Sequence, residues 1–575
     1  MTQTRSLLFI AWLFLAGWLW LQWTEFDAPP PPAAALPTSA PANAAATPPA
    51  PAALPTTGPA TLPVPAALPG APAPATAANE PIVRLRNDVL ELAIDSQGNV
   101  VDSRLLGYQQ EKRDGSPAVR LLSNEPGQSY TAISGLIQSP DGNQQVFLPA
   151  DFRVVGDTTE FRLADGADAV RVPLQWTDAT TGLQVQRTLV LARGSYLLAV
   201  QDTLANTGTA TQRVYPYVEL ARTAPPAPGK MAGLTNPEAF SFVGMAWYEP
   251  ETGFEKTPFA DFENESPPKV VVDGSWIGSL QHHFVTAWVP DPKDKQLISV
   301  SQDNVGGVAL YRIRSVTLPV DLAPGAKATR QARLWVGPKV QKQLGAVAPA
   351  LKRSLDYGIL TFISQPLFDY ILKPLHALTG NWGWAIVLTV LLLKLALYPL
   401  SAKQFQSMAK MRALQPRIEA LKERYGAGQE YNVAMMELYK KEKINPVSGC
   451  LPILIPLPIF FALYWVLLET VELRHAPWIG WIQNLTAPDP YFILPAINLA
   501  VMYLTQKMTP TPGMDPMQKK MMQFMPLIFG VLMAFFPAGL VLYWVSNGLL
   551  GLLQQWWMYR QHGRDSAGGK PAVAR

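Results

Sequence analysis

The sequence predicts a polytopic α-helical membrane protein that carries a large exported all-β domain. Three observations lead to this fold class. Apolar residues concentrate at the N-terminus and after about residue 380, whereas residues 80–345 contain many short runs of strand-forming residues. Only 16% of the 575 residues are charged, below the fraction of about a quarter that is usual for soluble domains. Lysine and arginine are spread unevenly over the segments between the apolar runs, as expected for a fixed membrane orientation.

Residues 1–27 are expected to form an N-terminal transmembrane anchor. The apolar run at 7–23 would make a helix of roughly 25 Å, which is at the short end for a membrane span. Arg5 precedes the run and favours a cytoplasmic N-terminus, so the chain that follows is exported. A cleaved signal peptide is the alternative, but the small residues at 33–35 lie well beyond the apolar run. Residues 28–79 are rich in alanine and proline, which predicts an extended linker.

Residues 80–345 are expected to fold as a β-sandwich. Runs of strand-forming residues, such as 183–191 and 328–336, are separated by turn signals such as Pro324-Gly. Many short strands with such punctuation are typical of a sandwich of two sheets. An isolated aspartate or serine in these residues is expected to form a turn, not to act in catalysis.

The sequence predicts no catalytic residue, no metal site and no bound cofactor. No glycine-rich phosphate loop with its lysine is present. His282 and His283 are adjacent and would point to opposite faces of a strand, so a shared metal ion is not expected. Cys450 is the single cysteine, which excludes an intrachain disulfide. The net charge of +4 is too small to indicate nucleic acid as a specific ligand.

Residues 350–380 are expected to form an amphipathic helix on the membrane surface. Apolar residues recur there at helical spacing, and Pro366 and Pro374 are expected to break the helix into pieces. The alternative is a helix that packs on the β domain. Either way, this segment leads directly into the second membrane span.

Five further spans, connected by one long and several short segments, are expected in the C-terminal part. The long connection carries nine lysine and arginine residues, whereas the connection after the third span carries only Arg474. The positive-inside rule therefore places both termini in the cytoplasm and the β domain outside. The predicted segments are span 2 (381–400), a cytoplasmic helical hairpin (401–449), span 3 (450–469), an exported loop (470–490), span 4 (491–507), a cytoplasmic loop (508–520), span 5 (521–537), span 6 (539–558) and a cytoplasmic tail (559–575).

Lys394 is the main candidate functional residue. It lies six residues before Leu400, or about 9 Å inside span 2 from its cytoplasmic end. Lysine costs up to about 3 kcal/mol at the centre of a span. Its charge indicates a water-accessible cavity in the inner half of the membrane, and the alternative is a side chain that snorkels to the interface. Thr389 and Thr505 could line the same cavity, or each could make a routine interhelical hydrogen bond.

The cytoplasmic hairpin is a candidate binding surface. Residues 401–425 and 430–443 have the composition of two charged helices, with Gly426 and Gly428 as the turn. A basic hairpin beside a membrane could contact anionic lipid, or it could dock the ribosome or an incoming acidic chain. The basic residues proposed for this role are Lys403, Lys410, Arg412 and Arg417.

Several short motifs in the last third of the chain occur in the order found in one known family. They are Tyr398-Pro-Leu, Ser407-Met-Ala-Lys-Met-Arg, Asn445-Pro, Gly449-Cys, Pro458-Ile-Phe, Phe536-Pro-Ala-Gly-Leu and Gln554-Gln. Together with the architecture of anchor, linker, exported β domain and five further spans, they make the chain resemble the YidC/Oxa/Alb family of membrane protein insertases. The resemblance covers the whole chain, and its specific motifs lie in the helical part.

The resemblance implies a periplasmic super-β-sandwich domain, six spans with a five-helix insertase core, and a hydrophilic groove. This groove would open to the cytoplasm and to lipid and be closed towards the periplasm. The groove arginine of the family falls on Lys394, which keeps the charge but not the planar fork of arginine. The groove glutamine falls on Pro456 and the groove threonine on Val390, with Thr389 one step away. The aromatic pair of the last span falls on Tyr543 and Trp544.

The resemblance implies a membrane protein insertase and chaperone of the bacterial inner membrane, not an enzyme. It would move client transmembrane segments from the cytoplasm into the membrane, alone or with the Sec translocon (SecYEG). Client membrane proteins, the ribosome or signal recognition pathway and anionic lipids are the expected partners. A secondary transporter or channel is the first alternative, although the core spans show no internal repeat. A structural protein that anchors a sugar-binding β domain is the second.

Overall fold

The computed structural model describes a β-rich part and a helical part of the chain. Residues 1–79 lie outside the described residues, and so do Lys403, Lys410, Arg412 and Cys450. The described residues are 80–113, 115–125, 127–139, 146–226, 241–250, 253–264, 274–348, 350–355, 357, 360–402, 414–426, 428–442, 456–508 and 516–567.

The β-rich part forms two sheets. The first has the order β17-β18-β12-β5-β3-β2-β1-β8, with β19, β4 and β6 paired to β12, β3 and β5, and the second has the order β14-β13-β15-β16-β20-β11-β10-β9-β7. The strands are β1 (Pro81–Arg86), β2 (Leu90–Asp95), β3 (Val100–Gln109), β4 (Ala118–Arg120), β5 (Tyr130–Gln138), β6 (Val146–Phe147), β7 (Arg153–Val154), β8 (Glu160–Arg162), β9 (Ala169–Thr177), β10 (Leu183–Ala192), β11 (Leu197–Asn206), β12 (Gln212–Thr223), β13 (Gly244–Glu249), β14 (Gly253–Pro258), β15 (Trp276–Gln281), β16 (Phe284–Pro290), β17 (Gln296–Val305), β18 (Val308–Thr317), β19 (Val320–Leu322) and β20 (Lys327–Pro338).

Alternating residues build the core between the two sheets. In β10, Leu183, Val185 and Leu189 are buried while the glutamines between them are exposed, which is the period of two that a half-buried strand requires. Buried apolar residues of both sheets belong to one core. Arg187 lies on the buried face as well, and its guanidinium donates two hydrogen bonds of 2.8 Å to Asp202. The two sheets confirm the prediction of an all-β domain.

His282 and His283 differ from the prediction. They lie in the turn between β15 and β16, and their rings stack with centroids 3.7 Å apart. The expectation of opposite faces is wrong because the pair forms a hairpin turn, where the alternation of an extended strand does not apply. Within the described residues, no group of three or more histidine, cysteine or acidic side chains is arranged to hold a metal ion.

Helices make up the rest of the described chain. Short 3-10 segments lie at Phe259–Asn264, Leu351–Ser354 and Val471–Leu473. The α-helices are α1 (Gln341–Val347), α2 (Thr361–Pro366), α3 (Lys373–Thr379), α4 (Trp382–Ala396), α5 (Gln415–Tyr425), α6 (Gln429–Lys441), α7 (Pro456–Glu469), α8 (Ile493–Met508), α9 (Pro516–Met533) and α10 (Ala538–Ala567).

The chain stays helical from α2 to α3, because a π-helical segment, Leu367–Leu372, joins them. Pro366 and Leu372 both have right-handed helical dihedral angles, so the prolines do not break the helix as predicted. A proline lacks an N–H donor, and a wider turn between two prolines accommodates the altered hydrogen-bond pattern. Leu367 and Phe368 are buried, whereas Phe362 and Tyr370 are exposed.

The helices near the predicted spans differ from them in extent. Helix α9 begins at Pro516, inside the predicted 508–520 loop, and α10 continues to Ala567, beyond the predicted end of span 6 at 558. In the part of the chain that the structure describes, no helix combines the length and the apolar composition that crossing a membrane requires. The 470–490 segment contacts the start of α10, where the Ala538 N–H donates to the Ala487 carbonyl at 2.7 Å.

The described residues fall into two units, and the smaller consists of α5 and α6 with the turn between them. Gly426 has a positive φ of 66°, a conformation that favours glycine. Ile418, Tyr431 and Met435 are buried in this unit. Helices α5 and α6 lie within or beside the two segments predicted as helices, 401–425 and 430–443, and residues 403–413 of the first segment lie outside the described residues. The larger unit contains the two sheets and the remaining helices.

Candidate functional site

Lys394 lies in the last turn of α4 and faces α10. Its Nζ is 3.4 Å from the position that a Cβ atom would occupy at Gly551. Beyond the end of α4, the Tyr398 hydroxyl donates a hydrogen bond of 3.7 Å to the sulfur of Met558 in α10. The lysine side chain is partly exposed, and it makes no hydrogen bond or ion pair with any residue that the structure describes. A cation that has no counter-ion among the described residues therefore lies at the contact of these two helices.

The two candidate threonines use their hydroxyl groups inside their own helices. Thr389 is buried and donates to the Ala385 carbonyl at 2.8 Å. Thr505 is half-buried and donates to the Val501 carbonyl at the same distance. Such bonds to the carbonyl four residues earlier are common for threonine in helices. Val390 is also buried, so Lys394 is the accessible polar group among the candidate residues of α4.

The aromatic pair of α10 packs against α7. The ring of Phe460 lies 6.4 Å from that of Tyr543 and 5.2 Å from that of Trp544, measured between centroids. Tyr543 is buried, and the indole N–H of Trp544 is buried without a hydrogen-bond partner. Pro456 begins α7, but its side chain lies outside the described part of the chain.

A second cluster joins the β domain to the end of α7. Glu469, the last residue of α7, is buried and forms an ion pair of 3.5 Å with Lys339, which follows β20. Ser241 donates a hydrogen bond of 3.2 Å to the same carboxylate. His282 Nε2 donates to the Leu468 carbonyl at 2.5 Å. Two segments more than a hundred residues apart in sequence are thus held together by polar contacts.

The residues after Glu469 extend this junction. The Arg474 guanidinium donates to the carbonyl groups of Gln109 and Gln110 at 2.7 and 3.0 Å, at the end of β3. Lys112 Nζ donates to the His475 carbonyl at 2.9 Å. His475 has a positive φ of 58°, which is uncommon for a residue with a side chain. Burial raises the pKa of the Glu472 carboxyl in the same segment.

Two family models cover almost all of the described chain. Residues 374–565 match the model described as 60Kd inner membrane protein, and residues 82–370 match the model of the YidC periplasmic domain. The chain belongs to the YidC family of membrane protein insertases. Its β domain is the periplasmic domain of that family, and the prediction of an insertase is confirmed.

Two relatives agree with this assignment over almost the full length of the chain. The chain is 50% identical to membrane protein insertase YidC of Stenotrophomonas maltophilia, with 100% of this chain and 99% of the relative covered. It is 48% identical to membrane protein insertase YidC of Xanthomonas campestris pv. campestris, with 98% of each chain covered. A crystal structure of an active YidC insertase with its first transmembrane domain resolved aligns with a TM-score of 0.36 and 20% identity, covering 84% of this chain and 95% of that one.

The remaining candidate residues are the four basic residues of the predicted hairpin. Arg417 forms an exposed ion pair of 2.9 Å with Glu442 inside the helical hairpin, while its three basic companions lie outside the described residues. Exposed pairs of this kind contribute little to stability. The sequence reasoning missed Gly551 as a neighbour of Lys394. A glycine inside a helix is unfavourable by about 1 kcal/mol relative to alanine. Its occurrence in the middle of a predicted span was therefore the one feature of the sequence that could have indicated Gly551.

A small cavity lies between the two sheets of the periplasmic domain. Its volume is about 40 Å³, and the charged groups on its wall are already paired, Arg187 with Asp202 and Arg330 with Asp294. Pockets for small-molecule ligands are typically several hundred Å³ or more. This cavity is therefore too small for a sugar.

Proposed function

We propose that this protein moves client transmembrane segments from the cytoplasm into the inner membrane along a groove that contains Lys394. The family assignment and the cation at the contact of α4 and α10, which is unpaired within the described part of the chain, support this proposal. The lysine attracts the acidic or polar tail of a client, while the apolar client helix moves along the lipid-facing side. Burial of the client helix drives the transfer at roughly 0.025 kcal/mol per Å² of apolar surface. The groove shortens the distance that polar groups of the client must cross without water, which lowers the free-energy barrier to insertion.

The single observation that carries the proposal is the absence of a counter-ion for Lys394 among the described residues. The test uses the purified full chain in liposomes and two single-span clients, one with an acidic and one with a neutral translocated tail. Lys394→Glu is expected to slow insertion of the acidic client by about tenfold or more, because attraction becomes repulsion. Lys394→Arg is the matched control and should retain activity. Unaltered insertion of the acidic client by Lys394→Glu would refute the role of the lysine.

We infer a topology of six spans, with both termini and the hairpin in the cytoplasm and the β domain in the periplasm. The distribution of lysine and arginine supports it, and the boundaries proposed for the segments are those given by the sequence. Because Cys450 is the single cysteine, a Cys450→Ser background allows single-site labelling. Glu437→Cys should be protected from a membrane-impermeant maleimide added to intact spheroplasts, whereas Gln483→Cys should react. Labelling of position 437 would contradict this topology.

We propose three further partners of the insertase. The Sec translocon would receive or deliver clients, and the ribosome or signal recognition pathway would bring nascent chains to the basic hairpin. Anionic lipid would contact the same hairpin, where Lys403, Lys410, Arg412 and Arg417 supply the positive charge. Reversal of these four charges should weaken co-sedimentation with ribosomes and with anionic vesicles. Retained binding to both would exclude the hairpin as the docking surface.

A further inference from the structure

The contact between α4 and α10 contains a gap at Gly551. A Cβ atom there would meet Lys394 Nζ at 3.4 Å and no other described neighbouring atom within 4 Å. Gly548, one turn earlier in α10, differs, because a Cβ atom there would lie 2.5 Å from Val501 Cγ1. Close packing with α8 thus requires Gly548, whereas no such contact requires Gly551. Glycine destabilises a helix interior relative to alanine, so its presence at 551 calls for another reason.

The two helices that border this gap carry two hydrogen-bond donors without a partner among the described residues. Lys394 of α4 is the first. Gln554 of α10 is the second, because its Nε2 is buried and makes no hydrogen bond to a described residue. Gln554 follows Gly551 by three residues and lies on the same side of α10, as helical geometry dictates. Buried donors are unfavourable when unpaired, so this arrangement suits a ligand that supplies acceptors.

We propose that Lys394 and Gln554 together bind one carboxylate of a client across the gap at Gly551. A carboxylate has two acceptor oxygens and a negative charge, which match one ammonium and one amide donor. Gly551 is the positioning residue, since any side chain longer than a methyl group would occupy the space in front of the ammonium. The ligand is an aspartate or glutamate of the translocated segment. This inference rests on the proposed function, because it requires clients to enter the groove at Lys394.

The test compares two single-span clients that differ only by aspartate or asparagine in the translocated tail. The full chain is reconstituted in phosphatidylcholine vesicles, which removes anionic lipid as a competing occupant. Gly551→Leu and Gln554→Leu are each expected to slow insertion of the aspartate client about tenfold, the size typical of a lost hydrogen bond to a charged group. Insertion of the asparagine client should be unchanged. Protease protection of the translocated tail gives the inserted fraction.

Two further variants separate binding from folding. Gln554→Glu places a carboxylate of the protein beside Lys394, so it should block the aspartate client without lowering the melting temperature. Leu553→Gln adds an amide at an adjacent, exposed position of α10 and should change neither client. Gln554→Glu keeps the proposal testable if Gly551→Leu does not fold.

The outcomes distinguish this inference from the proposed function. Equal losses for both clients would show that Gly551 and Gln554 serve packing alone, and no loss for either client would also overturn the inference. If Lys394→Gln impairs the aspartate client but the Gly551 and Gln554 variants do not, only this inference fails. If Lys394→Gln has no effect on the aspartate client, the proposed function fails as well.

Discussion

At the scale of single residues, His283 makes the junction between the periplasmic domain and α7 sensitive to pH. Burial lowers the pKa of His283 well below its usual value of 6.5, and His282, Arg474 and Lys339 lower it further. A backbone hydrogen bond at Glu469 opposes the shift. The folded state therefore binds fewer protons than the unfolded state. The contribution of neutral His283 to the free energy of unfolding is fully present above the pKa that this histidine has in the unfolded chain, and it declines as the pH falls below that pKa.

We expect the turn between β15 and β16 to lose about 1 kcal/mol of protection for each pH unit below 6.5. Hydrogen exchange of the β15–β16 hairpin, followed from neutral pH to pH 5.5, measures this loss. His283→Gln removes the titrating group and should flatten the profile. A profile of the variant that still falls like that of the parent protein would assign the effect to another group.

At the scale of elements, Asn381 determines where α4 begins. Its side-chain oxygen accepts hydrogen bonds from the backbone N–H groups of Gly383 and Trp384 at 2.9 and 3.2 Å. Its amide donates to the Trp478 carbonyl at 2.9 Å, so the cap also ties α4 to the 470–490 segment. Asn381→Ala removes both functions and is expected to destabilise the protein by about 1–2 kcal/mol.

Asn381→Ser is the matched control, since serine retains the cap but not the bond to Trp478. Thermal unfolding in detergent should rank the serine variant between the parent protein and the alanine variant. If alanine and serine are equally destabilising, the bond to Trp478 contributes the whole effect and the cap contributes none.

The elements also show why some features follow from the sequence and others do not. Strand β10 was predictable because the alternation that buries Leu183 and Val185 is local. The π-helical segment at Leu367–Leu372 was not, because prolines usually end helices and packing overrides that tendency here. Lys394 stood out as a cation in an apolar run. Its neighbour Gly551 did not, because the pairing of α4 with α10 depends on contacts between distant segments.

At the scale of the whole molecule, a buried ion pair fixes the periplasmic domain on the helical core. The side chains of Lys339 and Glu469 are 3% and 4% exposed, so both ions have lost most of their hydration. Removing one partner from such a pair costs about 3–5 kcal/mol, because the other charge is left buried. Replacing both by apolar residues is often close to neutral. We therefore expect the pair to define one docked arrangement, in which Glu469 also accepts a hydrogen bond from Ser241.

Lys339→Met should therefore loosen the junction, and Lys339→Met combined with Glu469→Leu should restore much of the loss. Hydrogen exchange of residues 470–475 and of the β15–β16 hairpin, measured on the full chain in detergent, reports the docked state.

Arg213→Ala is the control, because the Arg213–Asp321 pair is about half exposed and its loss should leave this protection unchanged. If protection in Lys339→Met equals that of the parent protein, the ion pair does not hold the domain, and the backbone contacts of Arg474 and His282 suffice for docking. If the double variant is less protected from hydrogen exchange than Lys339→Met, the loss of Glu469 adds to the loss of Lys339. Such additivity would mean that the two charges stabilise the junction independently and not as a pair.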